Sequence, residues 1–231
     1  FENLYKKLDD ALCWHILGLS LRKLDRGKEA IVAFKTALSI DEGLIEPLVP
    51  LAEVLLAEEK IDEAQHWIEK YILHDNNNIN ARYIFAECLR KGDKLFDAIE
   101  SLRNSIRMTE LNSPIDVQLC HSFLLVVEAI ERENRQKVGE DRDSASYIEE
   151  LGFHYADGLN IEIKNYLEKL VVNAPQISGA HVFLGGCYSS QGQFELAEKH
   201  FHKAYQLDRQ QDRAHTVRLC DSYFDILNNT S

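Results

Sequence analysis

The chain carries nine histidines and five cysteines, the side chains best suited to hold a metal or attack a substrate, and their spacing serves neither use. His200 and His202 flank Phe201. Two residues apart on a helix, they point to different sides and cannot easily share an ion. Both are expected as exposed histidines around a buried Phe201. His121 and His154 have no carboxylate or cysteine at ligand spacing. Cys13, Cys88, Cys120, Cys187 and Cys220 include no C-x-x-C pair and are odd in number, which argues against a disulfide framework or a zinc site. They are expected as reduced, mostly buried side chains in a cytosolic-type protein. Glu149 and Glu150 occupy consecutive helix positions and are expected in solvent. No phosphate-binding glycine loop, nucleophile elbow or H-E-x-x-H motif occurs. The sequence therefore predicts no catalytic, cofactor or metal site. The tripeptide Asn228-Asn229-Thr230 fits a glycosylation acceptor, but that pattern is common by chance and nothing else suggests secretion.

With chemistry set aside, composition bounds what the chain can be. Its 231 residues are 45% hydrophobic, with only four prolines and eleven glycines. That composition suits long helices with short joints around a packed core. The formal net charge of −12 counts against nucleic-acid binding, which favours a basic face. Eight acids and two bases fall in residues 45–78, while residues 79–112 are nearly balanced. No apolar run reaches the ~18 residues of a membrane helix, and no signal peptide opens the chain. A cytoplasmic location is the expectation.

The organising feature is a period. Ala30, Ala64 and Ala98 lie at equal steps of about 34 residues. In residues 11–44, Trp14, Leu17, Gly18 and Leu21 precede Ala30, Phe34 and Ala37. Leu17, Leu21 and Leu24 share one helix face at i, i+4, i+7 spacing. Gly18 and Ala30 are small where two helix backbones must approach. Residues 45–78 repeat the frame with Leu48, Leu51, Ala52 and Leu55, then Ala64, Ile68 and Ile72. Pro47 suits a first turn, while Pro50 marks a late start or a distortion. Residues 79–112 bring Phe85, Ala86, Leu89, Ala98, Leu102 and Ile106. The fullest match is residues 178–211, with Leu184, Gly185, Tyr188, Gly192, Phe194, Ala197, Phe201 and Ala204. Together these segments resemble the tetratricopeptide repeat (TPR), W-x-x-L-G-x-x-Y…A-x-x-x-F, with Leu21 standing for the tyrosine of the first unit.

The resemblance implies an all-α solenoid of helix–turn–helix units wound into a right-handed superhelix. Three units are expected in residues 11–112, with turns near Asp25, Glu59 and Gly92. Two more are expected in 144–211, with turns near Gly158 and Gly192 and with Ala197 facing Gly185. Residues 113–143 break the frame: an irregular long helix, capped by Ser113 with Pro114 at its first position, leads into a charged loop. Residues 1–10 read as a remnant of a preceding repeat helix, and 212–231 as a capping helix. The missing initiator methionine suggests a fragment of a longer protein.

In TPR proteins the first helix of each unit lines a concave groove. The resemblance therefore points His15, Leu19, Arg22, Glu46, Val49, Glu53, Asn80, Tyr83, Glu87 and Arg90 inward. Tyr83 is expected to contact a ligand in an acidic surround of Glu53 and Glu87, suited to a partner with basic flanks. In the last unit the corresponding positions, Gly179, Gly186, Ser189 and Ser190, are bare. The lysines and asparagines with which chaperone-binding TPR proteins clamp a carboxylate are absent, since His15, Leu19, Pro50, Asn80 and Ile84 stand there. The implied function is a protein-interaction scaffold holding a peptide or protein in this groove, with no nucleic acid and no membrane insertion. Two alternatives stay open: a substrate-recruiting segment of a larger sulfotransferase, glycosyltransferase or hydroxylase, and a self-assembling structural TPR.

Overall fold

A computed structural model describes residues 10–140 and 145–209. The predicted remnant helix, except for Asp10, and the predicted capping helix of 212–231 lie outside the described residues. Ten helices, and no strand, occupy them: α1 Ala11–Lys23, α2 Gly27–Ile40, α3 Leu48–Ala57, α4 Ile61–His74, α5 Ile79–Lys91, α6 Leu95–Arg107, α7 Pro114–Glu140, α8 Ala145–Asn173, α9 Ser178–Ser190 and α10 Phe194–Arg209. The chain divides into two compact units, Phe1–Ser101 and Leu102–Ser231.

In the first unit each helix packs on the next from α1 through α5, and α3 also touches α5. The core is small and branched apolar: Ala30, Phe34, Leu51, Leu55, Ala64, Ile68 and Ile84, all nearly inaccessible to solvent. Asp10 caps α1 by accepting from the Leu12 N–H at 2.9 Å. Asn78 caps α5 by accepting from the Ala81 N–H at 3.0 Å. These bonds satisfy donors that no helical carbonyl can reach. Pro47 stands just before α3 and Pro50 in its first turn, where a missing N–H costs little. The result is a short helix of 10 residues, against 13 in α1 and α5.

One turn recurs. Asp25, Glu59 and Asp93 adopt left-handed backbones, with φ of 58°, 59° and 61°, and Gly192 does the same at 71°. The next residue in each case closes the helix end: the N–H groups of Arg26, Lys60, Lys94 and Gln193 reach the carbonyls of Leu21, Leu55, Leu89 and Tyr188 at 2.9–3.0 Å. This bond satisfies an orphan carbonyl, and it requires a residue that can enter the left-handed region. Three of the four positions are not glycine, so the repeat period rather than a glycine marks where the turn falls.

In the second unit α7 packs on α8, α8 on α9 and α9 on α10, and α9 also meets α7. Leu111, at φ 52°, and the Asp116 carboxylate end the regular period. Asp116 Oδ2 accepts from the Asn112 and Ser113 N–H groups at 2.9 Å and from the Ser113 hydroxyl at 2.8 Å. Ser113 and Pro114 thus open α7 as predicted, with Asp116 as the accepting side chain. The turn predicted at Gly158 is absent. α8 runs through that residue for 29 residues, paired with the 27 residues of α7. A Cβ at Gly158 would meet nothing within 4 Å. The glycine reflects an uncrowded helix position, not a chain reversal.

Candidate partner-binding face

The first helices of the first unit, α1, α3 and α5, carry His15, Leu19, Arg22, Val49, Glu53, Asn80, Tyr83, Glu87 and Arg90, while Glu46 stands in the turn before α3. Arg22 at the end of α1 donates from Nη1 to Glu53 Oε2 on α3. Asn80 at the start of α5 donates from Nδ2 to Glu53 Oε1 at 3.0 Å. Three of the predicted residues therefore form one hydrogen-bonded row across three helices. Its links span 31 and 27 positions, roughly one and two helical turns short of the repeat period. Side chains on adjacent first helices meet at such offsets, and that is the sequence signal for the row.

Glu87 and Arg90 form a second polar group. Arg90 donates from Nε and Nη2 to the two carboxylate oxygens at 3.0 and 2.8 Å. Hydrogen bonding to Glu87 holds the Arg90 guanidinium above its ordinary pKa, against the opposing effect of burial. Glu87 itself is only 7% exposed. Paired, hydrogen-bonded charge is the condition under which a carboxylate is retained at that depth. The acidic surround expected for Tyr83 is thereby corrected: Glu53 and Glu87 are each matched by a guanidinium.

Leu19, Val49 and Tyr83 are half-buried and pack against the core of the first unit. Together they lay an apolar strip on the same three helices that carry the polar row. His15 stands apart. Its ring lies 5.9 Å from that of Phe34, and its Nδ1 is buried without a hydrogen-bond partner. Burial lowers its pKa, opposed by Glu46.

The second unit contains a cluster that the sequence does not announce. His181 on α9 and His200 on α10 approach Nδ1 to Nδ1 at 3.0 Å. His181 Nε2 lies 3.1 Å from the Pro175 carbonyl, which can only accept. Nε2 therefore carries the proton, Nδ1 of neutral His181 accepts, and His200 Nδ1–H donates. Tyr188 stacks on His200 with centroids 5.5 Å apart and donates its hydroxyl to Glu168 on α8 at 2.8 Å. Burial first, then the neighbouring His181 and Lys199, pushes His200 down to about 4. Burial likewise lowers His181. Burial and the Glu168 bond raise Tyr188 to about 12. The expectation of an exposed His200 is corrected, because a histidine 19 positions upstream supplies its partner. His202 is exposed beside Glu198. Among the described residues no group of three or more His, Cys, Asp or Glu could hold a metal ion.

Two further positions differ from the sequence expectation. A Cβ on Gly185 would meet the Phe201 ring at 2.7 Å, so Phe201, not Ala197, faces that glycine. The same contact stands in the first unit, where a Cβ on Gly18 would meet Phe34 at 2.5 Å. Gly179 is not open surface for a ligand: a Cβ there would lie 3.1 Å from Val117 on α7.

Residues 11–43 and 178–211 match the tetratricopeptide repeat family. Residues 41–105 match the family described as anaphase-promoting complex, cyclosome, subunit 3. No curated protein matches the chain by sequence. Among solved structures the chain is similar to YrrB, described as a TPR protein with an unusual peptide-binding site, at 15% identity, a TM-score of 0.59, and coverage of 97% of this chain and 96% of that one. TTC0263, a thermophilic TPR protein of Thermus thermophilus, is similar at 16% identity and a TM-score of 0.60, covering 94% and 98%. MamA from Desulfovibrio magneticus is similar at 17% identity and a TM-score of 0.60, covering 88% and 97%. At these identities the likeness is one of fold.

Proposed function

The chain is a tetratricopeptide-repeat protein, and on that premise we propose that it acts by binding, as a scaffold that holds a peptide or protein on the face of α1, α3 and α5. The observation that carries this reading is the side-by-side arrangement of two strips on those helices: the hydrogen-bonded row Arg22–Glu53–Asn80 and the half-buried apolar residues Leu19, Val49 and Tyr83. An apolar strip beside pre-positioned donors and acceptors suits a ligand with apolar anchors and a polar backbone. Aromatic anchors such as Tyr83 carry a large share of interface energy. Because Glu53 and Glu87 are already paired with guanidinium groups, specificity around Tyr83 rests on hydrogen bonding and shape more than on net charge, and basic flanks on the partner are not required.

No helix among the described residues is long and apolar enough to cross a membrane. Burial raises the Cys88 thiol to about 12 and the Cys187 thiol to about 11, which keeps both protonated and inert. Those thiols suit the reducing cytoplasm, where we place the protein. Tyr83→Ala combined with Glu53→Lys tests the reading. The double variant should keep the helical circular-dichroism signal and lose at least tenfold in affinity for the natural partner. Wild-type capture by that variant would move the site away from this face.

A further inference from the structure

We propose that His181 and His200 form a two-coordinate site for a monovalent copper ion, which enters between their Nδ1 atoms and ties α10 to α9. The site lies wholly in the second unit and is independent of the peptide-binding face.

The inference starts from how the two rings meet. Their Nδ1 atoms are 3.0 Å apart, while the ring centres are 5.3 Å apart and the planes differ by 28°. The second distance exceeds the first by about two ring radii. Both nitrogens therefore lie on the line that joins the rings, edge to edge. Two imidazole lone pairs aimed along one line define a linear ligand pair.

That arrangement selects the ion. Imidazole suits zinc, copper, iron and nickel. Zinc takes four ligands at tetrahedral angles, and among the described residues no third His, Cys, Asp or Glu completes such a set. Monovalent copper, a closed-shell ion with no angular demand beyond two opposed donors, is satisfied by two nitrogens in line. With metal–nitrogen bonds of about 2 Å the two atoms must stand about 4 Å apart, so the rings part by about 1 Å. His200 is only half-buried, and its side chain supplies that movement.

The surroundings already hold the rings as ligands are held. His181 Nε2 lies 3.1 Å from the Pro175 carbonyl. A donor bond from the far nitrogen to a carbonyl is the usual support of a metal-binding histidine, because it fixes the ring and leaves the near nitrogen unprotonated. The His200 ring stacks on Tyr188, and Tyr188 is itself held by its bond to Glu168 and by Lys164 above its ring.

The step balances without an added acid or base. The His200 proton leaves Nδ1 and moves to Nε2 of the same ring. The hydrogen bond between the histidines breaks, two metal–nitrogen bonds form, and the site gains one positive charge. Both rings stay neutral, each protonated on Nε2, and copper keeps its oxidation state.

Silver nitrate is the probe, because Ag+ shares the linear preference and has spin-½ nuclei. Accessible thiols of the full chain, labelled with ¹⁵N-histidine, are first blocked with iodoacetamide, since Cys13 is exposed and thiolates also bind silver. One further equivalent of Ag+ should split the Nδ1 resonances of His181 and His200 by one-bond coupling, and should slow amide exchange in α9 and α10 at least fivefold. His181→Gln or His200→Gln should abolish the splitting at the remaining partner, while His202→Gln should leave it unchanged. Cu+ supplied with ascorbate under argon should displace the silver. The proposal is overturned if neither Nδ1 shows coupling, if coupling appears only at exposed histidines such as His66, His74 and His202, or if equimolar Zn2+ removes it.

Discussion

The two units share a repeat signature and differ in the length of their helices. Gly18 against Phe34 in the first unit is matched by Gly185 against Phe201 in the second. Both units also close their hairpins through a left-handed residue, at Asp25 and at Gly192. Yet the first unit is built from helices of 10 to 14 residues, while the second opens with a pair of 27 and 29. At 1.5 Å per residue such helices reach roughly 40 Å. The shared contacts show what a helix pair requires to pack. The difference shows that helix length is free to vary once those contacts are made.

Polar side chains follow the same division. In the first unit they run between successive first helices, as the row from Arg22 to Asn80. In the second they brace one long helix against its neighbours. Arg103 on α6 grips Glu162 on α8 with two bonds of 2.8 and 2.7 Å, and Tyr166 adds a third at 2.8 Å. Regular stacking leaves a polar row facing outward, where a ligand can reach it. The long pair directs its polar groups into holding itself in place.

The largest expected effect tests the shared contact. Phe34→Ala and Phe201→Ala should each cost about 3–5 kcal/mol, the usual loss for a buried aromatic in a core that cannot collapse. Equal losses, measured by urea denaturation, would support one packing rule for both units; a loss in one alone would break the comparison. Ala197→Leu comes next. Ala197 is wholly buried, and overpacking there should cost roughly 1–3 kcal/mol. An unchanged melting temperature would show that the α9–α10 crossing has room the structure does not indicate.

Acid should separate the units. His181 and His200 have folded pKa values depressed below the ordinary 6.5. Their neutral forms favour folding above that value, and the contribution is lost as pH falls from 6.5 towards about 4. Protonating His181 on Nδ1 would also set two N–H groups against each other. Hydrogen exchange, corrected for its intrinsic pH dependence, should show α9 and α10 losing protection through this window. The effect should exceed that in α1, where His15 shifts in the same direction. His200→Gln should flatten the difference. The smallest effect is Gly158→Ala, which should stabilise by about 1 kcal/mol because α8 is helical through that residue. A destabilised variant would mean that the glycine serves a bend after all.

These contrasts also explain what could be read from the sequence. Where the period holds, small residues and aromatics at fixed offsets reveal the helix pairs, and the turns fall near Asp25, Glu59, Gly92 and Gly192. Where it fails, local signals mislead. Gly158 looks like a turn because glycine usually punctuates helices, but a solvated helix tolerates it. In the sequence the row at Glu53 shows only as three separate inward positions, since pairing depends on how adjacent helices register. The His181–His200 contact leaves no signature in near-neighbour spacing, because the two residues lie 19 positions apart and meet across a hairpin.

The central claim is that the face of α1, α3 and α5 binds a polypeptide, and hydrogen exchange with a selected ligand tests it most directly. Peptides would be selected from a displayed random library against the full chain, and exchange would be compared with and without the strongest binder. The account predicts added protection in α1, α3 and α5, with binding at least tenfold weaker in the Tyr83→Ala, Glu53→Lys variant. Protection confined to α9 and α10, with binding unaffected by those substitutions, would contradict it.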